Sequence, residues 1–209
     1  MMPFFDATSN RKQMNSAQFR DEYDRGQRDF SYTNLTAVDL SGMNLSEINF
    51  HSAVLWKANL EGTNLSKANL TEANCSQANL SWAAIGFARA ESANFSSARL
   101  HQADLHSIRA LGCNFHKADL EGANLSRGDL ERANLSRANL SYADASWANL
   151  NGTNLAEANL HKTNLSWTDL DASNPEHARL GLTALTGIRL PWGVYVINHK
   201  KARKEHNES

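Results

Sequence analysis

The sequence of 209 residues predicts an all-β solenoid in which short extended segments are joined by a turn every five residues. Three observations lead to this prediction. A repeat centre recurs at every fifth position from Phe30 to Leu170, giving 29 centres in one unbroken register, of which 20 are Leu and four are Phe. The residue two places before the centre is Ala in 17 units. The residue immediately before the centre is Asn or Asp in 24 units.

The period of five separates this chain from ordinary helices and strands, whose side chains repeat every 3.6 and every 2 residues. Asn and Asp inside a helix compete for its backbone hydrogen bonds, whereas in a turn they bond their own backbone. The large centre and the small Ala therefore point inward and fill a narrow core. Because one unit cannot bury this core alone, successive units must stack.

The tandem pattern Ala-Asn/Asp-Leu-x-x, seen in Ala58-Asn59-Leu60, resembles the pentapeptide repeat family. The resemblance implies a right-handed quadrilateral β-helix with four units, or about 20 residues, in each coil. The 29 units would then form about seven coils. In that register Phe95 stacks on Phe115 and Phe30 stacks on Phe50.

The two cysteines, Cys75 and Cys113, also point inward in this register. They lie nearly two coils apart, roughly 9 Å along the axis at the usual strand spacing. This separation is too large for a disulfide, so we interpret both as core residues.

Four segments are expected along the chain. They are a leader with an N-terminal capping helix (1–28), the pentapeptide repeat β-helix (29–173), an irregular last coil with a C-terminal cap (174–198) and a basic mobile tail (199–209). The caps are expected because the ends of a β-helix leave backbone groups unpaired.

The N-terminal cap is predicted to be a short helix that is capped by Asn15 or Ser16 and runs to about Arg25. Gly26 is its stop signal. Four residues apart, Phe19 and Tyr23 share one face of such a helix and are expected to sit on the first coil.

At the other end Pro175 occupies a centre position and interrupts the pattern, although three later leucines keep the register (Leu180, Leu185 and Leu190). A capping strand is predicted from Pro191 to Ile197. We interpret the basic tail as a solubilising end, with a nucleic-acid contact as the alternative.

Composition excludes several classes of protein. The 21 Lys and Arg against 22 Asp and Glu give a net charge of −1, without the basic excess of a nucleic-acid binder. Two cysteines cannot form a disulfide scaffold and indicate a reducing compartment. No apolar run approaches the ~18 residues of a membrane span, and the N-terminus lacks a signal-peptide pattern. We therefore predict a cytoplasmic protein that does not contact a membrane.

Catalytic or metal-binding groups are not apparent in the sequence. Five histidines directly follow a repeat centre (His51, His101, His106, His116 and His161). No two of them lie close enough on one row to bind a metal, and no phosphate-binding glycine loop is present. We interpret these histidines as solvated surface residues and predict no enzyme activity, no cofactor and no metal.

Outward aromatic residues indicate a surface for a partner. In steps of 20 residues Trp147 stacks on Trp167, Arg127 precedes them by one coil for a cation–π contact, and Tyr142 lies on the neighbouring corner. Two further aromatics share these rows (Trp82 and Phe87). Trp, Tyr and Arg are enriched at binding hot spots, although stacked aromatics can also simply stabilise neighbouring strands. We therefore name a protein partner at this corner as a hypothesis, with coil stabilisation as the alternative.

A second irregularity affects the Asn/Asp position, which becomes Ala84, Arg89, Arg99 and Arg109. Arg89 and Arg109 would stack one coil apart, an unfavourable arrangement of like charges. Either a partner's anionic group offsets these charges or Glu91 does, and Glu91 is the favoured explanation. Both arginines are included among the candidate partner-binding residues.

Two functions follow from the family resemblance. The first is a rigid interaction scaffold for a cytoplasmic protein, since cyanobacterial members are the most similar and one is linked to heterocyst differentiation through protein binding. The alternative is mimicry of duplex DNA, by which the quinolone-resistance members bind DNA gyrase, usually as homodimers joined at their C-terminal ends. A DNA mimic needs a strongly acidic surface, but residues 29–173 carry 15 acidic and 10 basic side chains. We therefore favour the scaffold.

Overall fold

The backbone of the computed structural model, which describes residues 11–187, consists of one helix followed by a ladder of parallel bridges. The helix α1 covers Ser16–Asp24. From Asp29↔Asn49 to Asn164↔Ala184 each bridge joins residues 20 apart, so one circuit of the chain holds four five-residue units. Each unit contributes a single bridge residue rather than a long strand. The predicted all-β solenoid is therefore built from many minimal extended segments.

Every unit from Phe30 to Pro175 turns because the second residue after its centre adopts a left-handed conformation. The non-glycine residues at this position, from Tyr32 to His177, have φ between 52° and 63°. Such a conformation costs a non-glycine residue roughly 1–2 kcal/mol, a cost that Gly62 avoids at φ 62°. The residue before the centre supports the turn, as when Asn64 Oδ1 accepts the N–H of Ser66 at 3.0 Å. The turn role predicted for Asn is thus confirmed.

The same Asn side chains also connect neighbouring coils. Asn64 Nδ2 donates to Asn44 Oδ1 at 3.0 Å, and Asn124 Nδ2 donates to Asp104 Oδ1 at the same distance. An Asp side chain can accept this hydrogen bond, but it has no N–H group with which to donate to the coil before it. Asp104 lies one coil after Ala84, which offers no side-chain oxygen to accept such a bond. The series of side-chain hydrogen bonds between coils is therefore interrupted at Ala84.

The core contains the repeat centres and the small residues two places before them. The rings of Phe95 and Phe115 stack as predicted, with centroids 5.1 Å apart and planes 7° apart. Cys75 and Cys113 are buried and unpaired, and burial raises the pKa of the Cys113 thiol to about 12. A thiol with such a pKa stays protonated and unreactive at neutral pH, as expected of a core residue.

Helix α1 begins with a capping box. The Asn15 side chain accepts the Gln18 N–H, and the Gln18 side chain accepts the Asn15 N–H, both at 2.9 Å. The helix therefore starts where the sequence predicts, and Gly26 follows it with φ 95°. Phe19 and Tyr23 share one face, with ring centroids 6.0 Å apart.

Phe19 also explains why Phe30 and Phe50 do not stack face to face as predicted. Phe30 and Phe50 were expected to stack, but their rings are 6.2 Å apart and tilted by 49°. Phe19 packs 4.3 Å from Phe30 and 6.0 Å from Phe50, so the helix inserts a third ring beside the pair. The two coil residues tilt to accommodate it.

Side chains of α1 cover the open backbone edge of the first coil. Ser16 Oγ accepts the Asp39 N–H at 2.8 Å, and Arg20 Nη2 donates to the Asp39 carbonyl at 3.2 Å. The Tyr23 hydroxyl donates to the carbonyl of Asn44. These bonds satisfy groups that have no coil below them to pair with.

The register continues beyond Pro175, where the sequence predicts an irregular coil. Bridges still join Asn159 to Arg179 and Asn164 to Ala184. The centre Leu180 is nevertheless 37% exposed, and the left-handed residue of its unit is Gly181, at φ 41°. The predicted strand from Pro191 to Ile197, Leu190 and the basic tail lie outside the described residues. The division of the chain into four segments remains a prediction.

Candidate functional site

Tyr142, Trp147 and Trp167 form what we call the aromatic corner. The indoles of Trp147 and Trp167 stack as predicted, with centroids 5.3 Å apart and planes 14° apart, yet the residues stay 58% and 51% exposed. One coil further on, the Gly187 backbone lies so close to the Trp167 indole that no Cβ would fit there. Trp167 is therefore held between Trp147 and Gly187 while it faces the solvent.

The cation–π contact expected for Arg127 is not formed, and that prediction is wrong. Within residues 11–187 the cations over aromatic rings are Arg28 on Tyr23, Lys57 on Trp56 and Lys162 on Tyr142. Side chains at this turn position lean toward the following coil, as Gln102 does over Gly122. The Trp147 ring leans in the same way over Trp167, and no cation of residues 11–187 lies over its other face. At the aromatic corner the cation is Lys162, whose Nζ lies 4.9 Å from the Tyr142 centroid.

Four of the five histidines support exposed aromatic rings, a role that the sequence interpretation missed. Each contacts, edge to face, an aromatic side chain 19 residues earlier, at centroid distances of 5.2–5.9 Å. The pairs are Tyr32–His51, Trp82–His101, Phe87–His106 and Tyr142–His161. These histidines are half-buried rather than free in solvent. An aromatic residue followed 19 positions later by His is the sequence signal that indicates them.

Trp82 and Phe87 lie on the same two rows as Tyr142 and Trp147, three coils before them. At the usual strand spacing this separation is about 14 Å. The structure thus brings the predicted aromatic residues onto one side of the rod but into two separate groups.

Arg89 and Arg109 occupy bridged positions on successive coils, as predicted. Glu91 contacts both of them, with Oε1 3.0 Å from Arg109 Nη2 and Oε2 3.9 Å from Arg89 Nε. Glu91 therefore offsets part of the like-charge repulsion, which confirms the explanation favoured from the sequence.

In the part of the chain that the structure describes, no group of three or more His, Cys, Asp or Glu side chains is placed to hold a metal ion. Among these same residues, no helix has the length and apolar character needed to cross a membrane.

Comparison with known proteins identifies the repeat. The family described as Pentapeptide repeats matches in eight copies, over residues 29–66, 48–85, 73–109, 113–152 and 138–174. A search of curated proteins finds no match.

Solved structures of similar proteins include HetL, a pentapeptide repeat protein involved in heterocyst differentiation regulation from the cyanobacterium Nostoc sp. strain PCC 7120. It is 28% identical, with 88% of this chain and all of that chain covered and a TM-score of 0.47. A trypsin-treated structure of QnrB1, a plasmid-mediated fluoroquinolone resistance protein, is 20% identical, with 86% and 90% covered and a TM-score of 0.52. The likeness to QnrB1 concerns the fold alone. On the repeats matched along most of its length, the chain belongs to the pentapeptide repeat family, whose fold is a right-handed β-helix.

Proposed function

We propose that this protein is a non-enzymatic interaction scaffold that binds a protein partner at the aromatic corner. The observation that carries the proposal is the stacked pair Trp147 and Trp167, held in one orientation while each residue stays more than half exposed. We place the partner in the cytoplasm, since a chain with two cysteines has no disulfide scaffold of the kind found in secreted proteins.

The exposure of the pair argues for binding over coil stabilisation. The repeat centres already close the core of these coils, so two large apolar rings are not needed on the outside. Exposed indoles in water are unfavourable, whereas indoles buried by a partner are among the strongest contributors to binding. Because Trp147 and Trp167 are already ordered by stacking, they lose little conformational entropy when a partner covers them.

The double variant Trp147→Ala/Trp167→Ala tests the proposal. We expect it to stay folded, with a loss of roughly 1 kcal/mol or less in the free energy of unfolding for the lost stack. Proteins retained from a cell lysate by the wild type are expected to be lost. Circular dichroism and affinity pull-down with mass spectrometry measure the two effects.

Trp56→Ala is the matched control, because Trp56 is exposed on another side of the coil. It should retain the partners of the wild type. A folded double variant that still captures every partner would show that the aromatic corner is not the binding site.

DNA gyrase, the alternative partner, is not favoured. Residues 29–173 carry a net charge of −5, from 15 acidic and 10 basic side chains, and Arg89, Arg109 and Arg127 interrupt the acidic field. We expect no effect in a gyrase supercoiling assay with ciprofloxacin. Dose-dependent rescue of supercoiling in the presence of ciprofloxacin, or dose-dependent inhibition of gyrase, would favour the gyrase-binding function over the scaffold. Light scattering would then test the homodimer that this alternative implies.

A further inference from the structure

The carboxylate of Asp104 is uncovered where the repeat pattern is interrupted. Asp104 is exposed, whereas Asn124 and Asp144, at the same position of the two following coils, are half-buried. On the preceding coil this position is Ala84, whose side chain ends at Cβ and covers nothing. Gly86 also lacks a side chain, and Asp104 Oδ2 lies 3.9 Å from the point that a Cβ at Gly86 would occupy. Two small residues therefore leave open space beside this carboxylate.

The hydrogen bonds of Asp104 all go to one of its oxygens. Oδ1 accepts the His106 N–H at 3.1 Å and Asn124 Nδ2 at 3.0 Å. In the part of the chain that the structure describes, Oδ2 takes part in no hydrogen bond, and no Lys or Arg nitrogen lies within 4.0 Å of the carboxylate. Asp104 therefore presents an unpaired negative charge to the solvent.

Cations on the adjoining parts of the surface have carboxylates of their own. The ion pairs there are Lys67–Glu47, Arg89–Glu91 and Arg109–Glu91, with N···O distances of 3.6, 3.9 and 3.0 Å respectively. Arg99, beyond the other corner, has Asp119 at the bridged position of the following coil. The charge of Asp104 is therefore not offset by these neighbours.

Two aromatic rings stand beside Asp104. Trp82 and Phe87 lie on the corners of the preceding coil, at either end of the same face, and both are more than half exposed. The Trp82 ring contacts His101 edge to face at 5.7 Å, and the Phe87 ring contacts His106 in the same way at 5.3 Å. Because His101 and His106 flank Asp104 on its own coil, these contacts bring both rings to the level of the carboxylate. No cation of residues 11–187 lies over either ring.

We propose that Trp82, Phe87 and Asp104 form a lysine site, which binds a lysine side chain of a protein partner. The alkyl chain of this lysine lies over Ala84 and Gly86, where no larger side chain blocks it. Its ammonium group donates to Asp104 Oδ2 between the two rings, whose faces attract a cation. The partner's ammonium thus supplies the positive charge that the repeat leaves out.

Lysine fits this site better than arginine does. A guanidinium group favours a bidentate pair with both oxygens of a carboxylate. Oδ1 of Asp104 already accepts two hydrogen bonds, so that geometry is not open. A compact ammonium group needs only the one free oxygen.

The variant Asp104→Asn tests the charge while it keeps the fold. An amide oxygen can still accept the His106 N–H and Asn124 Nδ2, and Asn is a residue that the repeat prefers at this position. Asp119→Asn is the matched control, because Asp119 occupies the same position of the unit on another face. Its Oδ1 accepts the corresponding bonds from Asn139 Nδ2 at 3.0 Å and the Glu121 N–H at 3.3 Å.

The probe is a phage-displayed library of random peptides, depleted on immobilised Asp104→Asn protein and then selected on the wild type. We expect the selected peptides to share a lysine. A fluorescein-labelled copy should bind roughly tenfold or more weakly when that lysine is acetylated, and also more weakly at higher salt. Phe87→Ala should weaken binding of the unmodified peptide, since it removes one of the two rings.

Two variants are expected to bind the peptide as the wild type does. They are Asp119→Asn and Trp147→Ala/Trp167→Ala, since the aromatic corner lies three coils away from the lysine site. The lysine site does not rest on the function proposed for the aromatic corner, and either can fail without the other.

Four results would overturn the proposal. They are selection of no peptide, selection of peptides that share no lysine, unchanged affinity after acetylation of the shared lysine, and unchanged affinity in Phe87→Ala. Loss of binding in Asp119→Asn or in Trp147→Ala/Trp167→Ala would equally contradict it, because the peptide would then be bound elsewhere on the rod.

Discussion

Replacement of Phe95 by alanine is expected to lower the free energy of unfolding by ~3–5 kcal/mol. Phe95 is fully buried in the middle of the rod and stacks on Phe115. Backbone bonds such as Phe95 N–H to Asn114 O, at 2.7 Å, fix the distance between coils. Because the coils cannot close around the missing ring, the variant keeps a cavity. Urea unfolding followed by circular dichroism measures the loss.

Phe87→Ala provides the matched control, since this residue, eight positions earlier in the chain, is 57% exposed. Its removal should change the free energy of unfolding by no more than about 0.5 kcal/mol. Equal losses in the two variants would contradict the assignment of inward and outward positions.

Phe19→Ala is expected to have an effect of similar size, ~3–5 kcal/mol, but confined to the N-terminal end. Phe19 is fully buried against Phe30 and Phe50. In a solenoid each coil contacts only its neighbours, so the loss of the cap should open the first coil without opening the middle. Amide exchange at Asn34 is expected to accelerate on the order of 100-fold, while Asn114 stays protected.

Tyr23→Phe is the control on the same helix, because it keeps the ring and removes only the hydroxyl that donates to Asn44. It should cost about 1 kcal/mol. If Phe19→Ala left exchange at Asn34 unchanged, or raised it equally at Asn114, helix α1 would not be a local cap.

The sequence predicts the coil because register alone decides which side chains stack. Once the centre is identified, Phe95 must lie beneath Phe115 and Trp147 beneath Trp167. The same reasoning predicts that Asn supports the turn. These features depend only on a spacing of 20 residues, which combines the five-residue repeat with the four units per coil that the family resemblance implies.

Features that depend on the direction in which a side chain leans, rather than on the spacing of residues, could not be predicted from the sequence. The lean of side chains toward the following coil brings His161 against Tyr142 at a spacing of 19. The tilt of Phe30 against Phe50 depends on Phe19, which belongs to a helix outside the repeat. In each case the geometry is decided by a contact that does not follow the spacing of 20 residues, and the periodic pattern does not contain it.

The central claim is that the aromatic corner contacts a protein partner. Photo-crosslinking from Tyr142, replaced by p-benzoylphenylalanine, tests it most directly, because the Trp147–Trp167 stack stays intact. Ser92 is the control position, with φ 58° against 61° at Tyr142, on the opposite corner of the rod and 50 residues earlier. We predict a defined protein adduct from position 142 and none from position 92 on irradiation in cell lysate. The absence of an adduct from position 142, or the same adducts from both positions, would contradict the claim.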